Sequence, residues 1–184
     1  FLDALLALGA DDVGAMAVEA VGADLWAAPG DFRVCLVACD DAGGGWTNRY
    51  ATEYAYRFGQ AALYQRGWVA ALAWTTEQYT EERVAREVME CCVRVTVVAD
   101  RGEPRTLREH LEQERLVAIR TLIDSAALTE AEAAHVRLVV GPLLERDDIM
   151  AALFGDAACH ELGYPPLGLP PRAGLRLAAA GLEP

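Results

Sequence analysis

The chain has 184 residues, a formal net charge of −12 and a hydrophobic fraction of 53%. This composition supports a packed core and excludes a chain that is disordered throughout. The negative charge argues against a nucleic-acid partner, because phosphate binding relies on cationic side chains that displace counterions. All sixteen basic residues are Arg, which excludes catalysis by a Schiff-base lysine and attachment of a pyridoxal cofactor.

Neither a membrane segment nor a secretory leader is evident in the sequence. The longest uncharged apolar stretch, residues 67–76, is well short of the roughly eighteen residues that cross a bilayer. Five cysteines, an odd number, are typical of reduced thiols. The sequence therefore predicts a cytoplasmic protein without a membrane partner, and its arginine-only, alanine-rich composition is of a bacterial type.

Two segments have the composition of buried β-strands. Residues 32–39 read FRVCLVAC and residues 68–75 read WVAALAWT. Continuous apolar runs that lack polar alternation are typical of strands covered on both faces. We expect the two segments to form a small sheet.

Two further segments fit either a strand or a helix. Residues 46–58 alternate aromatic and polar side chains as a strand would. The same residues also repeat at helical spacing, and a helix over 46–66 would end at Gly67, where a helix-terminating glycine belongs. Residues 93–98 alternate valine with polar residues, but no turn residue separates them from the preceding helical pattern. A helix is the favoured interpretation of both. The helical face of the first would carry three aromatic residues, Tyr50, Tyr54 and Phe58.

The remaining segments predict helices and a proline-rich tail. Two capping boxes, TLRE at 106–109 and TEAE at 129–132, each mark the start of a helix. The prolines of residues 163–174 predict an extended strap over the surface, followed by a last helical turn at 175–180. Other helices are expected at 3–9, 11–25, 80–99 and 147–154.

These elements predict a helix-rich α+β fold. Its small sheet contains 32–39 and 68–75, with 93–98 or 46–58 as alternative third strands, and a three-layer βαβαβ α/β fold is the alternative. We expect one domain over residues 1–184. Within it we expect a mixed α/β part, a helical part and a proline-rich strap, at 1–100, 101–162 and 163–184.

A glycine-rich loop after the first strand is the leading candidate for a ligand site. A strand, a glycine loop and a helix in succession can aim backbone N–H groups at an anion, and open α/β sheets bind ligands at strand carboxyl ends. Two aspartates would bind Mg²⁺ and an arginine would clamp the anion. The predicted ligand-binding residues are Asp40, Asp41, Gly43, Gly44, Gly45, Thr47, Asn48 and Arg49. If residues 46–58 instead paired with 32–39, the glycines would only form a hairpin turn.

Two other constellations support alternative functions. Cys159 and His160 could belong to a metal site or a thiol enzyme, with His110, Glu114 or His135 as companions, although no HExxH or CxxC motif is present. His110 and Glu114, four residues apart, are expected to form a surface pair. The aromatic face of 46–58 could instead be a dimer interface, tested by Tyr54→Asp.

The sequence thus predicts a domain that binds a small anion or a metal–anion pair at the glycine loop. Its alternatives are a non-catalytic, self-associating interaction protein and a Cys/His metal or thiol enzyme. It identifies neither a catalytic residue nor a cofactor, and leaves open whether the protein is an enzyme.

Overall fold

The computed structural model shows a helix-rich α+β fold. It divides into two compact units, Phe1–Glu103 and Pro104–Pro184. Ten α-helices and two strands lie in the described parts of the chain. The structure describes residues 1–22, 30–42, 48–121, 128–146 and 149–181.

The first unit contains both strands. Its elements in chain order are α1 (Leu2–Ala7), α2 (Ala10–Ala20), β1 (Arg33–Cys39), α3 (Arg49–Phe58), α4 (Ala61–Tyr64), β2 (Trp68–Trp74) and α5 (Glu81–Arg101).

The two strands pair in parallel, and α3 and α4 form the connection between them. The register runs without interruption from Arg33 opposite Trp68 to Cys39 opposite Trp74. All of β2 after Trp68 is buried, whereas most of β1 is only half-buried. The predictions of strands at 32–39 and 68–75 are therefore confirmed to within one residue at each end.

Residues 49–58 and 93–98 are helical, as favoured, and the strand alternatives are wrong for them. The first helix does not continue to Gly67, because it ends at Phe58 and a separate short helix, α4, follows. Residues 46 and 47 lie outside the described residues. Asn48 caps α3 by accepting a hydrogen bond from the N–H of Ala51 at 3.0 Å. Thr80 caps α5 in the same way, and this helix continues without a break through 93–98 to Arg101. No third strand occurs among the described residues.

The core of the first unit forms where α1, α2 and α5 meet the sheet. Val13 of α2 and Val84 of α5 pack with Ala73 of β2 in one buried cluster, and Leu36 of β1 packs against it. Helix α5 contributes several fully buried valines to this core. This packing holds the carboxyl ends of the strands in place.

The second unit is helical in its described part. Its elements are α6 (Leu107–Thr121), α7 (Glu130–Val140), a short 3₁₀ helix (Gly141–Leu143), α8 (Ile149–Phe154), α9 (Asp156–Leu162) and α10 (Ala173–Ala179). Both predicted capping boxes are present. Glu109 accepts from the N–H of Thr106 at 3.2 Å, and Glu132 accepts from the N–H of Thr129 at 2.8 Å.

The proline-rich tail is exposed over most of residues 163–171 and is held to α9 by hydrogen bonds. The Asp156 carboxylate accepts hydrogen bonds from the N–H groups of Leu167, Gly168 and Leu169 at 2.9–3.1 Å. The tail then leads into α10, which is largely buried and packs against α6, α7 and α8. The predicted last helical turn is thus a core helix of this unit.

Across the described part of the chain, the helices are too short or too polar to cross a lipid bilayer.

Candidate functional site

The carboxyl ends of the two strands bring together polar residues that are distant in sequence. Asp40 and Asp41 follow β1, whereas Thr75, Thr76 and Glu77 follow β2. Because the strands are parallel and in continuous register, these two segments lie side by side at one edge of the sheet. We call this group, together with Arg49 and Arg83, the carboxyl-edge cluster.

Asp41 joins the two segments. Its carboxylate accepts hydrogen bonds from the Thr76 hydroxyl at 2.7 Å, the Thr76 N–H at 3.0 Å and the Thr75 hydroxyl at 3.2 Å. Burial acts to raise the pKa of Asp41, but these hydrogen bonds and the Arg49 charge outweigh it. The pKa of Asp41 therefore lies below its usual value, and the group is ionised at neutral pH.

Arg49 begins α3 and points toward the strand ends. One terminal nitrogen lies 3.1 Å from the Asp41 carboxylate, and the other is paired with Glu77. Its guanidinium carbon lies 5.1 Å from the centre of the Trp74 ring. The side chain is 24% exposed, and its charge is held between two carboxylates.

Glu77 is shared by two arginines. Its second oxygen pairs with Arg83, whose guanidinium stacks 4.9 Å from the centre of the Tyr79 ring. Burial raises the pKa of Tyr79 to about 12, and its hydroxyl accepts a hydrogen bond from the N–H of Trp74 at 2.8 Å. The cluster thus combines three carboxylates with two guanidiniums, which leaves one negative charge in excess.

Asp40 is the exposed carboxylate of the cluster. Its Oδ1 accepts from the N–H of Ala42 at 3.0 Å and lies 3.0 Å from the Thr75 hydroxyl oxygen. The same hydroxyl lies 3.2 Å from Asp41 Oδ1. A hydroxyl has one hydrogen to donate, so two carboxylate oxygens converge on a single donor.

The structure describes four of the eight residues predicted for the ligand site. Asp40, Asp41 and Arg49 lie together in the cluster, whereas the side chain of Asn48 caps α3. The other four, Gly43, Gly44, Gly45 and Thr47, lie outside the described residues.

Sequence reasoning missed the contribution from β2. Thr75, Thr76 and Glu77 form a short polar run directly after a buried strand, as Asp40 and Asp41 do after β1. This shared sequence pattern could have predicted the joint site, because the carboxyl ends of neighbouring parallel strands lie at the same edge of a sheet.

The residues proposed for a Cys/His site do not form a group of metal ligands in the described part of the chain. Cys159 is fully buried, and burial together with the nearby Asp156 charge raises the pKa of its thiol. His110 and His135 instead contact backbone carbonyls, those of Thr106 at 2.7 Å and Gly168 at 2.9 Å. Among the described residues no three His, Cys, Asp or Glu side chains are grouped to hold a metal.

The expected surface pair of His110 and Glu114 is wrong, because both side chains are buried. Burial lowers the pKa of His110 against the opposing effects of the Thr106 carbonyl and the Glu114 charge. The Thr106 carbonyl can only accept a hydrogen bond, so Nδ1 carries the hydrogen of the neutral ring. Both side chains are buried because α6 lies in the helical core. Their spacing of four residues on a helix fits a surface pair and a buried pair equally well.

The other cysteines are packing residues. All five thiols are free, and Cys91 and Cys92 are buried in α5, where burial raises the pKa of each thiol to about 12. Cys35 and Cys39 on β1 are half-buried, and their pKa values are also raised by burial. Thiols with raised pKa values are weak nucleophiles at neutral pH.

The aromatic face of α3 is mostly covered. Phe58 is buried, and its ring centre lies 5.3 Å from that of Tyr54. Tyr50 and Tyr54 are half-buried. A dimer interface on this face stays a prediction.

A groove of about 350 Å³ lies in the second unit, between α8 and the proline-rich tail. Apart from two polar side chains its walls are apolar, and apolar walls do little to fix the orientation of a ligand. The lining residues are Leu143, Arg146, Ile149, Met150, Ala151, Tyr164, Pro165 and Leu167.

Comparison of the chain with protein-family models, with curated proteins and with solved structures found no match. The geometry of the carboxyl-edge cluster is therefore the basis for a functional proposal.

Proposed function

We propose that the first unit binds a divalent cation together with a small oxyanion at the carboxyl edge of its sheet. The observation that supports this is the convergence of Asp40, Asp41 and Arg49 where two parallel strands end. This edge is the usual position of ligands in open parallel sheets. Carboxylates and a guanidinium side by side provide groups for both charges of a metal–anion pair.

The charge of the cluster favours a cation as the first ligand. One negative charge is in excess, so a free anion meets net repulsion, whereas a cation is attracted. Asp40 is exposed, and its Oδ1 lies beside that of Asp41 on the Thr75 hydroxyl. Mg²⁺ commonly binds through one or two carboxylates and completes its coordination with water and phosphate oxygens.

Arg49 would then hold the anion. Its planar guanidinium suits bidentate contact with phosphate or carboxylate oxygens. Glu77 pairs with one of its nitrogens. Glu77 also pairs with Arg83. An incoming anion can therefore replace Glu77 at Arg49, because Glu77 keeps Arg83 as a cationic partner.

The test is isothermal titration calorimetry with Mg²⁺ alone, inorganic phosphate alone and the two together. We expect phosphate to bind at least tenfold more tightly when Mg²⁺ is present. Asp40→Asn should abolish this enhancement. Asp31→Asn is the matched control, because Asp31 is an exposed aspartate at the amino end of the same strand.

Arg49→Gln tests the anion clamp. We expect it to weaken phosphate binding in the presence of Mg²⁺ while Mg²⁺ binding alone is retained. Arg33→Gln is its control, since Arg33 stacks over Trp68 at the opposite end of the sheet. The proposal is overturned if phosphate binds without Mg²⁺ as well as with it, or if the Asp31 and Asp40 variants behave alike.

A further inference from the structure

A single carboxylate connects the two arginines of the carboxyl-edge cluster. One oxygen of Glu77 pairs with Arg49, and the other oxygen pairs with Arg83. Arg49 begins α3 and Arg83 lies in the first turn of α5, so one side chain from the segment after β2 joins two helices. The Glu77 side chain is 19% exposed, which leaves the bridge partly open to solvent.

Both guanidiniums are also held by groups other than Glu77. Arg49 pairs with the Asp41 carboxylate at 3.1 Å. The guanidinium carbon of Arg83 lies 4.9 Å from the centre of the Tyr79 ring, close enough for a cation–π contact. Each arginine therefore keeps a second contact that fixes its guanidinium when Glu77 moves.

The backbone of Glu77 is fixed by the turn that follows β2. Its N–H donates a hydrogen bond to the Trp74 carbonyl at 3.1 Å. Since the backbone and both guanidiniums are held, the Glu77 side chain is the part of the bridge that can move. It can leave Arg49 and place both oxygens on Arg83, because a guanidinium binds a carboxylate through two parallel hydrogen bonds.

We propose that the Glu77 carboxylate competes with the bound anion for Arg49, and that Arg83 sets the strength of this competition. The inference rests on the proposed function, because the anion is the one that binds with the divalent cation. Glu77 on Arg49 lowers the affinity of the site for the anion. Arg83 offers Glu77 another partner and so favours its release from Arg49. Arg83 is thus a positioning residue that acts through Glu77.

The competition also defines the class of anion. Glu77 is tethered beside Arg49, which gives its carboxylate an effective concentration of roughly millimolar or more. A free monocarboxylate offers Arg49 the same group as Glu77 and gains nothing over it. A phosphate carries about two negative charges at neutral pH, and its further oxygens can bind the Mg²⁺ held by Asp40. The favoured ligand is therefore a phosphate group rather than a carboxylate.

Calorimetric titration of the full chain with inorganic phosphate, at saturating Mg²⁺, tests the competition. We expect Glu77→Gln to tighten phosphate binding about two- to fivefold, the range that a partly exposed salt bridge contributes. Glu77→Asp keeps the charge but is one methylene shorter and cannot span both arginines, so it should also tighten binding. Glu81→Gln is the matched control, because it removes an exposed carboxylate at the start of α5 and should bind as the wild type does.

Arg83→Gln tests the positioning role at physiological ionic strength, where longer-range charge effects are screened. We expect this variant to weaken phosphate binding about two- to fivefold, because Glu77 then has Arg49 as its remaining partner in the bridge. In the Glu77→Gln background the same change should have no effect, since Arg83 acts through Glu77. Arg86→Gln, about one turn further along α5, is the control and should leave phosphate binding unchanged in both backgrounds.

The competition is disproved if Glu77→Asp binds phosphate as the wild type does, or if Arg83→Gln weakens binding equally in both backgrounds. Acetate that binds the wild type as tightly as phosphate overturns the assigned class of anion. The proposed function fails by a different result, which is phosphate binding by the wild type that does not depend on Mg²⁺. Absence of phosphate binding in the wild type and in every Glu77 variant overturns both.

Discussion

The Asp41 carboxylate accepts a 2.7 Å hydrogen bond from the Thr76 hydroxyl, which connects the segment that follows β1 to the segment that follows β2. The two residues are 35 positions apart in the chain. The contact fixes the relative positions of the two strand ends, and with them the side chains of the carboxyl-edge cluster.

Replacing Asp41 by Asn should lower the free energy of unfolding by about 1–3 kcal/mol, because charge-assisted hydrogen bonds are lost and an amide N–H₂ faces donors from Thr76. Urea unfolding at pH 7 measures the change. Asp31→Asn is the control for removal of one negative charge. An unchanged unfolding midpoint for Asp41→Asn would show that the contact does not stabilise the fold.

The contribution of Asp41 should also depend on pH. Its pKa in the folded protein is lowered, so the unfolded chain takes up the proton first on acidification. The stability difference between wild type and Asp41→Asn should be constant from pH 7 down to about pH 5. It should shrink as the pH falls below about 4, the usual pKa of aspartate. A difference that instead grows in acid would contradict this assignment.

A second polar cluster lies between α3 and α5. Arg94, 2% exposed, pairs with Glu90 at 2.9 Å, and Glu90 lies 3.5 Å from Arg57, which pairs with Glu53 at 2.7 Å. Arg94→Met should lower the free energy of unfolding by about 1–3 kcal/mol, because the half-buried Glu90 carboxylate then keeps only Arg57 as a cationic partner. Denaturant unfolding measures the change.

A double-mutant cycle isolates the pair itself. We expect Glu90→Gln and Arg94→Met to show a coupling energy of about 1–3 kcal/mol. The exposed pair of Arg108 and Glu145, 2.7 Å apart, is the control and should give less than about 1 kcal/mol. Equal coupling for the two pairs would show that burial does not strengthen the interaction.

Gly174 allows α10 to approach α8 closely. A Cβ atom at this position would lie 2.6 Å from the Ala152 carbonyl oxygen and 3.0 Å from the Leu153 Cα. Because both are backbone atoms, Gly174→Ala should force the helices apart and lower the free energy of unfolding by about 1–3 kcal/mol. Thermal or urea unfolding of the full chain measures this.

Gly141→Ala is the matched control for Gly174→Ala. Gly141 has φ −49°, an ordinary helical value, and nothing lies within 4 Å of its added Cβ. This variant should be as stable as the wild type or slightly more stable, because alanine restricts the unfolded chain. Equal stability of the two alanine variants would show that the close packing of α10 against α8 does not require glycine at position 174.

Local patterns were sufficient to predict most elements of the fold. The continuous apolar runs of β1 and β2 have the composition of buried strands, and the ends of both were predicted within one residue. Helix α3 could be predicted because its aromatic residues repeat at helical spacing and Glu53 pairs with Arg57 four residues further on. Such interactions act within about four residues and are therefore visible in a sequence.

Environment and long-range contacts could not be predicted in the same way. Cys159 and His110 have polar neighbours in sequence, yet both are buried because of where α9 and α6 pack. Residues 175–180 resemble a terminal turn, but α10 is central because three other helices cover it. Burial depends on which elements meet, and a single segment does not contain that information.

The sequence by itself determined the helix-rich composition, the two strands and the candidate aspartates, because propensity, capping and apolar periodicity operate over a few residues. The tertiary structure decided that the strands run parallel, and so placed Asp41 beside Thr76 and Arg49 between two carboxylates. Strand pairing decides this arrangement, because hydrogen bonds between distant segments set which strand ends meet.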